Sequence, residues 1–307
     1  MSGIIVILCV FASFPAHAAS FTDESGRTFE VEKPFTKIIS LYGAHTENLF
    51  ALGLNREIIG VSRNEAYPPG ALKKTAYSYH DDAEKFMAAR PDLVLIRPMI
   101  ARAYAQFVRK LEKAGISVIS LQPGSVAEMY RYWQIMGMLT RREGRSAEMI
   151  HRFREAVRQI RALAESIPPE KRKRVYFEAI HRRMKTFSPD SMAIFALETA
   201  GGINLAKDAE PVRGSNIAAY GKERILARAG EIDVYLAQRG TMNPVSADMI
   251  TGETGFHVIR AVKNRQIYFI DELIVSRPTL RLIQGILEIG KALYPDVFAD
   301  EAWGETE

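Results

Sequence analysis

The chain has 307 residues, enough for two α/β lobes that each bury a core, and its 47% hydrophobic and 25% charged content excludes a disordered chain. A formal charge of +5, from 41 Lys and Arg against 36 Asp and Glu, is too small and too spread to mark a nucleic-acid-binding surface, so no nucleic-acid partner is expected. The single cysteine, Cys9, excludes a disulfide framework, and its loss with a cleaved leader would also exclude thiolate metal sites, iron–sulfur clusters and cysteine nucleophiles.

Residues 4–14 are apolar but too few to span a bilayer, and Pro15-Ala16-His17-Ala18-Ala19 follows with small-x-small spacing. Residues 1–19 therefore read as a secretory signal peptide; because Met1-Ser2-Gly3 carries no positive charge, the alternative is a buried first strand. Leu8 precedes Cys9, and cleavage there would cut the apolar run in half, so the protein is not expected to be a lipoprotein.

Two short strands around Ser25-Gly26 open the remaining chain, and Pro34 ends them. Residues 37–41 read as a buried strand; a polar loop, a Thr46 N-cap and a helix over 47–52 that stops at Gly53 complete a β-α unit. Strands over 58–62, 93–96 and 116–120 alternate with helices over 82–89 and 102–114, which implies a parallel sheet covered on both faces. Between 142 and 167 the apolar residues Met149, Phe153, Val157, Ile160, Leu163, Ala164 and Ile167 recur at helical spacing, and Pro168-Pro169 terminates the run. The alternation then restarts, with strands over 174–178, 233–237 and 266–270 and helices over 191–200, 222–228 and 279–294. The expected organisation is α/β: a lobe over 20–140, a bridging helix over 141–168 and a second lobe over 169–307, two Rossmann-like lobes with central parallel sheets joined by one long α-helix.

Asp23-x-x-Gly26-Arg27, Lys37-Ile38-Ile39-Ser40-Leu41, Thr46-Glu47-Asn48-Leu49-Phe50-Ala51-Leu52-Gly53-Leu54 and Ala89-Arg90-Pro91-Asp92-Leu93-Val94-Leu95 together resemble the periplasmic binding proteins of ABC importers for ferric siderophores, haem or cobalamin. The likeness covers nearly the whole chain after the leader. It implies a periplasmic protein that binds a small-molecule metal chelate and delivers it to a permease in the inner membrane, with a monomer as the default. A ferric siderophore stands first, haem or cobalamin next; no intrinsic cofactor is implied. It further implies that Glu84, seven residues before Pro91, and Glu223, seven before Gly230, dock on permease arginines, since opposed carboxylates on two lobes can each accept a bidentate guanidinium. As ordinary residues both are first-turn helix glutamates favoured by the dipole.

Ligands of open α/β sheets lie beyond the carboxyl ends of the strands. That rule nominates Tyr42, His45, Tyr67, Tyr79, His80 and Arg97 in the first lobe and His181, Arg182, Arg183, Lys185, Arg239, Asn243 and Arg277 in the second. Arginines with neighbouring aromatics suit a bulky anionic ligand with an apolar body, and Tyr42 or His45 is a candidate for direct iron ligation, although a single Tyr or His after a strand is more often a hydrogen-bonded loop residue. No two of the five later histidines stand at helical ligand spacing, which disfavours a bare zinc or manganese ion. Molybdate or tungstate remains an alternative, held by arginines and backbone N–H groups. A secreted enzyme is a further alternative, but no Gly-x-Ser-x-Gly elbow, phosphate loop or His-Glu-x-x-His helix is present, so the chain reads as a non-enzyme.

Overall fold

The computed structural model describes residues 19–212 and 215–299. The leader and Cys9 lie outside the described residues, apart from Ala19, which opens strand β1 (Ala19–Thr22). β1 pairs antiparallel with β2 (Thr28–Val31), and the turn between them uses Gly26 at φ +77°, a conformation costly for any residue with a Cβ.

The first lobe carries five parallel strands, β3 (Ile38–Ser40), β4 (Ile58–Ser62), β5 (Thr75–Tyr77), β6 (Leu93–Ile96) and β7 (Ser117–Ser120), in the order β5-β4-β3-β6-β7. β3 and β6 are buried throughout, as their near-continuous apolar sequences require of strands covered on both faces. From β3 the chain winds to β4 and β5 on one side and to β6 and β7 on the other, so the sheet's topological switch point lies between β3 and β6.

The second lobe contains β8 (Arg174–Ile180), β9 (Lys185–Phe187), β10 (Ile203–Asn204), β11 (Glu210–Pro211), β12 (Ile217–Ala219), β13 (Val234–Arg239) and β14 (Ile267–Asp271). β10, β8, β13 and β14 form its parallel centre. β9, β12 and β11 extend it antiparallel, so this half is not a simple copy of the first.

The expected bridge is a helix over Glu143–Glu165, 23 residues and about 34 Å long at 1.5 Å per residue. Its buried stripe, Met149, Phe153, Val157 and Ile160, joins one continuous core that runs from Ile38 and Trp133 in the first lobe to Phe177 and Leu236 in the second. A helix over Val126–Thr140 packs beside it, capped by Ser125, whose Oγ accepts from the Glu128 amide at 3.3 Å. The outer faces of the two sheets hold separate cores, built around Ile39, Phe86 and Leu111 in one lobe and Tyr176, Tyr235 and Phe256 in the other.

Two expected helices differ. The first begins at Gly43, directly after the strand, and not at Glu47; the Thr46 hydroxyl donates to Ser40 Oγ at 2.8 Å instead of capping. The helix expected over 102–114 is two, Pro98–Ala103 and Ala105–Lys113, broken at Tyr104. Among the described residues no helix is long and apolar enough to cross a membrane.

Candidate functional site: the cleft between the lobes

A cavity of about 760 Å³ separates the two lobes. On the first lobe its wall is built from the carboxyl ends of the parallel strands: Tyr42 and Gly43 after β3, Arg63 after β4, Tyr79 and His80 after β5, Arg97 after β6 and Gln122 after β7. The second lobe contributes Gly240, Thr241 and Met242 after β13, Asp271, Glu272 and Arg277 after β14, and also Phe187, Met192 and Asn216.

Tyr42 and Arg97 flank the switch point, and the Arg97 guanidinium lies 4.7 Å over the Tyr42 ring. Burial raises the Tyr42 hydroxyl pKa, opposed by Arg97 and Arg277, so the phenol stays neutral. Arg97 Nε is buried with no hydrogen-bond partner. Arg277 crosses from the second lobe to Glu47, Nη1 to Oε1 2.6 Å, and its guanidinium occupies the space a Cβ at Gly43 would fill. Burial raises the Glu47 carboxyl pKa against the pull of Arg277 and of Arg281, whose Nη1 is 3.6 Å from Glu47 Oε2. Asn48 Nδ2 and Trp133 Nε1 both donate to the Pro278 carbonyl, at 2.9 and 3.2 Å. The segment around Arg277 thereby ties the second lobe to two helices of the first. Tyr79 and His80 of the lining form an aromatic cluster with Tyr104, ring centroids 4.4–5.1 Å apart.

Of the nominated residues, Tyr42, Tyr79, His80, Arg97 and Arg277 meet at this cavity. His45 does not. It is fully buried, and the Ile96 carbonyl, which can only accept, takes the Nε2 proton at 3.1 Å, leaving Nδ1 to accept from the Tyr132 hydroxyl at 2.7 Å. With both nitrogens engaged it has no lone pair to offer iron. Tyr67 lies outside the cleft lining, beneath the Arg281 guanidinium at 4.3 Å. Three of the expected second-lobe arginines lie outside the lining as well: Arg182 and Arg183 are exposed on the turn after β8, and Arg239 turns over Phe269 at 5.1 Å.

His181 and Asn243 are buried behind the cleft wall. His181 Nδ1 donates to Glu178 Oε2 at 2.8 Å, Asn243 Nδ2 donates to the Gln238 carbonyl at 2.9 Å, and the His181 amide donates to Asn243 Oδ1 at 2.9 Å. The Tyr235 hydroxyl also donates to Glu178. This network fixes the loop that presents Thr241 and Met242 to the cavity. Lys185 lies in β9 and is not part of the lining.

The sequence reading missed Arg63, Gln122, Phe187, Met192, Asn216, Asp271 and Glu272. Gln122, Asp271 and Glu272 follow strands that the periodicity did reveal, so the strand-end rule alone was enough to nominate them. Phe187 ends β9 and Asn216 immediately precedes β12, antiparallel strands too short to show a pattern. Among the described residues no three His, Asp or Glu side chains are grouped to hold a bare metal ion.

A model of the periplasmic binding protein family matches residues 38–273. The uncharacterized ABC transporter substrate-binding lipoprotein YvrC of Bacillus subtilis is 27% identical over 91% of this chain and 86% of its own. The vitamin B12-binding protein of Vibrio cholerae is 22% identical over 84% of this chain and 89% of its own. The crystal structure of a possible iron-binding (periplasmic solute-binding) protein from Staphylococcus epidermidis superposes with a TM-score of 0.73 at 27% identity, covering 85% of this chain and all of that one. These relatives are binding proteins, not enzymes, and none supports the oxyanion alternative. The lipoprotein among them runs against the expectation of an unanchored protein, and Cys9 lies outside the described residues. The match over residues 38–273, the two lobes on a single bridging helix and the cleft between them make the chain a member of the periplasmic binding protein family.

Proposed function

We propose that this protein is the periplasmic substrate-binding component of an ABC importer and that its cargo is a metal chelate, a ferric siderophore first, haem or cobalamin next. The observation that carries this reading is the cleft. Its volume falls within the about 300–1,000 Å³ of small-molecule pockets, and its switch point presents a guanidinium stacked on a phenol. Such a pair suits a ligand with acidic oxygens on a flat or apolar body. A tetrahedral oxyanion would leave most of the cavity unfilled. The metal arrives as cargo inside its chelator. Glu84 and Glu223 are read as the contacts to the permease.

A thermal-shift screen of the purified protein against ferric siderophores, haem and cobalamins tests the cargo. A true ligand at a hundredfold excess over its Kd adds about 2.7 kcal/mol, a rise of several degrees in Tm. The expected result is a shift with one chelate class; a flat response across the panel overturns the reading.

A further inference from the structure

The charges of the cleft are compensated unevenly. Arg63 is paired with Asp81, and Arg277 with the buried Glu47. Arg97 has no carboxylate partner among the described residues, and its Nε is buried without an acceptor. On the facing wall stand two carboxylates, Asp271 and Glu272, and neither has an ion-pair partner within 4 Å among the described residues. Arg239 is the register neighbour of Asp271 across β13 and β14, but its guanidinium turns over Phe269. Local structure uses each carboxylate only as an acceptor: Asp271 Oδ1 from the Leu273 amide at 2.8 Å, Glu272 Oε2 from the Met242 amide at 2.9 Å. The Glu272 side chain is held across the backbone of Gly240, where any Cβ would collide with it.

A purely anionic cargo would meet Arg97 favourably and then bring like charge against Asp271 and Glu272, a juxtaposition that selects against it. We infer that the cleft selects a chelate of mixed charge, with acceptor oxygens for Arg97 at one end and a cationic amine arm for Asp271 and Glu272 at the other. The inference rests on the chelate-binding reading above and narrows it, because the second lobe then rejects the highly anionic chelates that an arginine-rich cleft would welcome.

Ferrioxamine B, a ferric tris-hydroxamate with a pendant ammonium group, and its N-acetylated form differ only in that charge and are the probes. The wild-type protein is expected to bind the amine form about tenfold more tightly, as read by quenching of intrinsic fluorescence or by calorimetry. In an Asp271→Asn/Glu272→Gln variant that preference should vanish. Asparagine and glutamine keep both backbone hydrogen bonds, so the variant tests charge and not folding. Equal affinity of the wild type for the two forms, or an equal preference in wild type and variant, overturns the inference. Binding of ferric tris-catecholate or haem with neither ferrioxamine bound overturns it too, yet leaves the chelate-binding reading standing. Only the absence of binding to every chelate removes both.

Discussion

Burial holds the His45 imidazole at a pKa of about 3, with the nearby Arg97 charge adding to the effect and the Ile96 carbonyl opposing it. The unfolded chain has no such constraint. As pH falls below about 6.5 it takes up a proton that the native protein refuses, and stability drops by about 1.4 kcal/mol per pH unit until His45 itself titrates. Urea unfolding of wild type and His45→Gln should therefore diverge by about 1.5 kcal/mol in acid slope between pH 6.5 and pH 5; parallel slopes would show that His45 is protonated in the native state. His181 acts in the opposite sense. Its hydrogen bond to Glu178 raises its pKa, so the stability it contributes is complete below the unfolded value and is lost as pH rises through the folded one. Both histidines follow strands, and that position made them legible as cleft candidates. Whether a side chain turns into the cleft or into the core depends on which partners lie above it, Tyr132 and Ile96 for one, Glu178 and Asn243 for the other, and all of these but Glu178 are remote in sequence.

The helix over Gly43–Ala51 begins on the residue that Arg277 covers. The guanidinium is the far end of a flexible side chain, so Gly43→Ala should still fold, yet it must displace Arg277 from both the cleft and Glu47, which leaves that buried carboxylate with Arg281 alone and lowers stability. The expected outcome is a native circular-dichroism spectrum with a Tm below wild type and at least a tenfold loss of chelate affinity in the folded protein; unchanged affinity would show that Arg277 does not position the ligand. At this scale the long apolar patterns were readable: β3, β6, β8 and the bridging helix stand close to where the spacing places them. The helix over Val126–Thr140 carried its own signal in Ser125-x-x-Glu128, a capping-box sequence, which the reading passed over. β10, β11 and β12 span only two or three residues, too short for a period of two to repeat, and their pairing is fixed by tertiary contact.

The two lobes share one core through the bridging helix and are tied again where Pro278 accepts from Asn48 and Trp133. A molecule joined in this way presents its two rims at a nearly fixed separation, which a docking partner can use. Glu84 sits in the first turn of a helix that starts just beyond the carboxyl end of β5; its side chain is 69% exposed and its nearest cation, Lys110, is 3.9 Å away. Glu223 is exposed in the first turn of the helix over Lys222–Ala227. The Gly221 amide at the start of that helix donates to the Met184 carbonyl at 3.0 Å, which sets it beside the turn at the carboxyl end of β8. Each carboxylate thus stands on the same end of its sheet as the cleft, one per lobe, with little local charge to neutralise it. If the pair docks on permease arginines, Glu84→Ala/Glu223→Ala should bind its chelate with unchanged Kd and melt as wild type does, because neither side chain is buried. Chelate uptake by cells that depend on this protein should fall at least tenfold, with each single substitution falling between. Reversing the charges, Glu84→Lys/Glu223→Lys, should abolish uptake, since like charges would then face each other on both lobes at once. Uptake that survives the double alanine change would mean that these glutamates are ordinary helix-start residues and that the importer reads another surface.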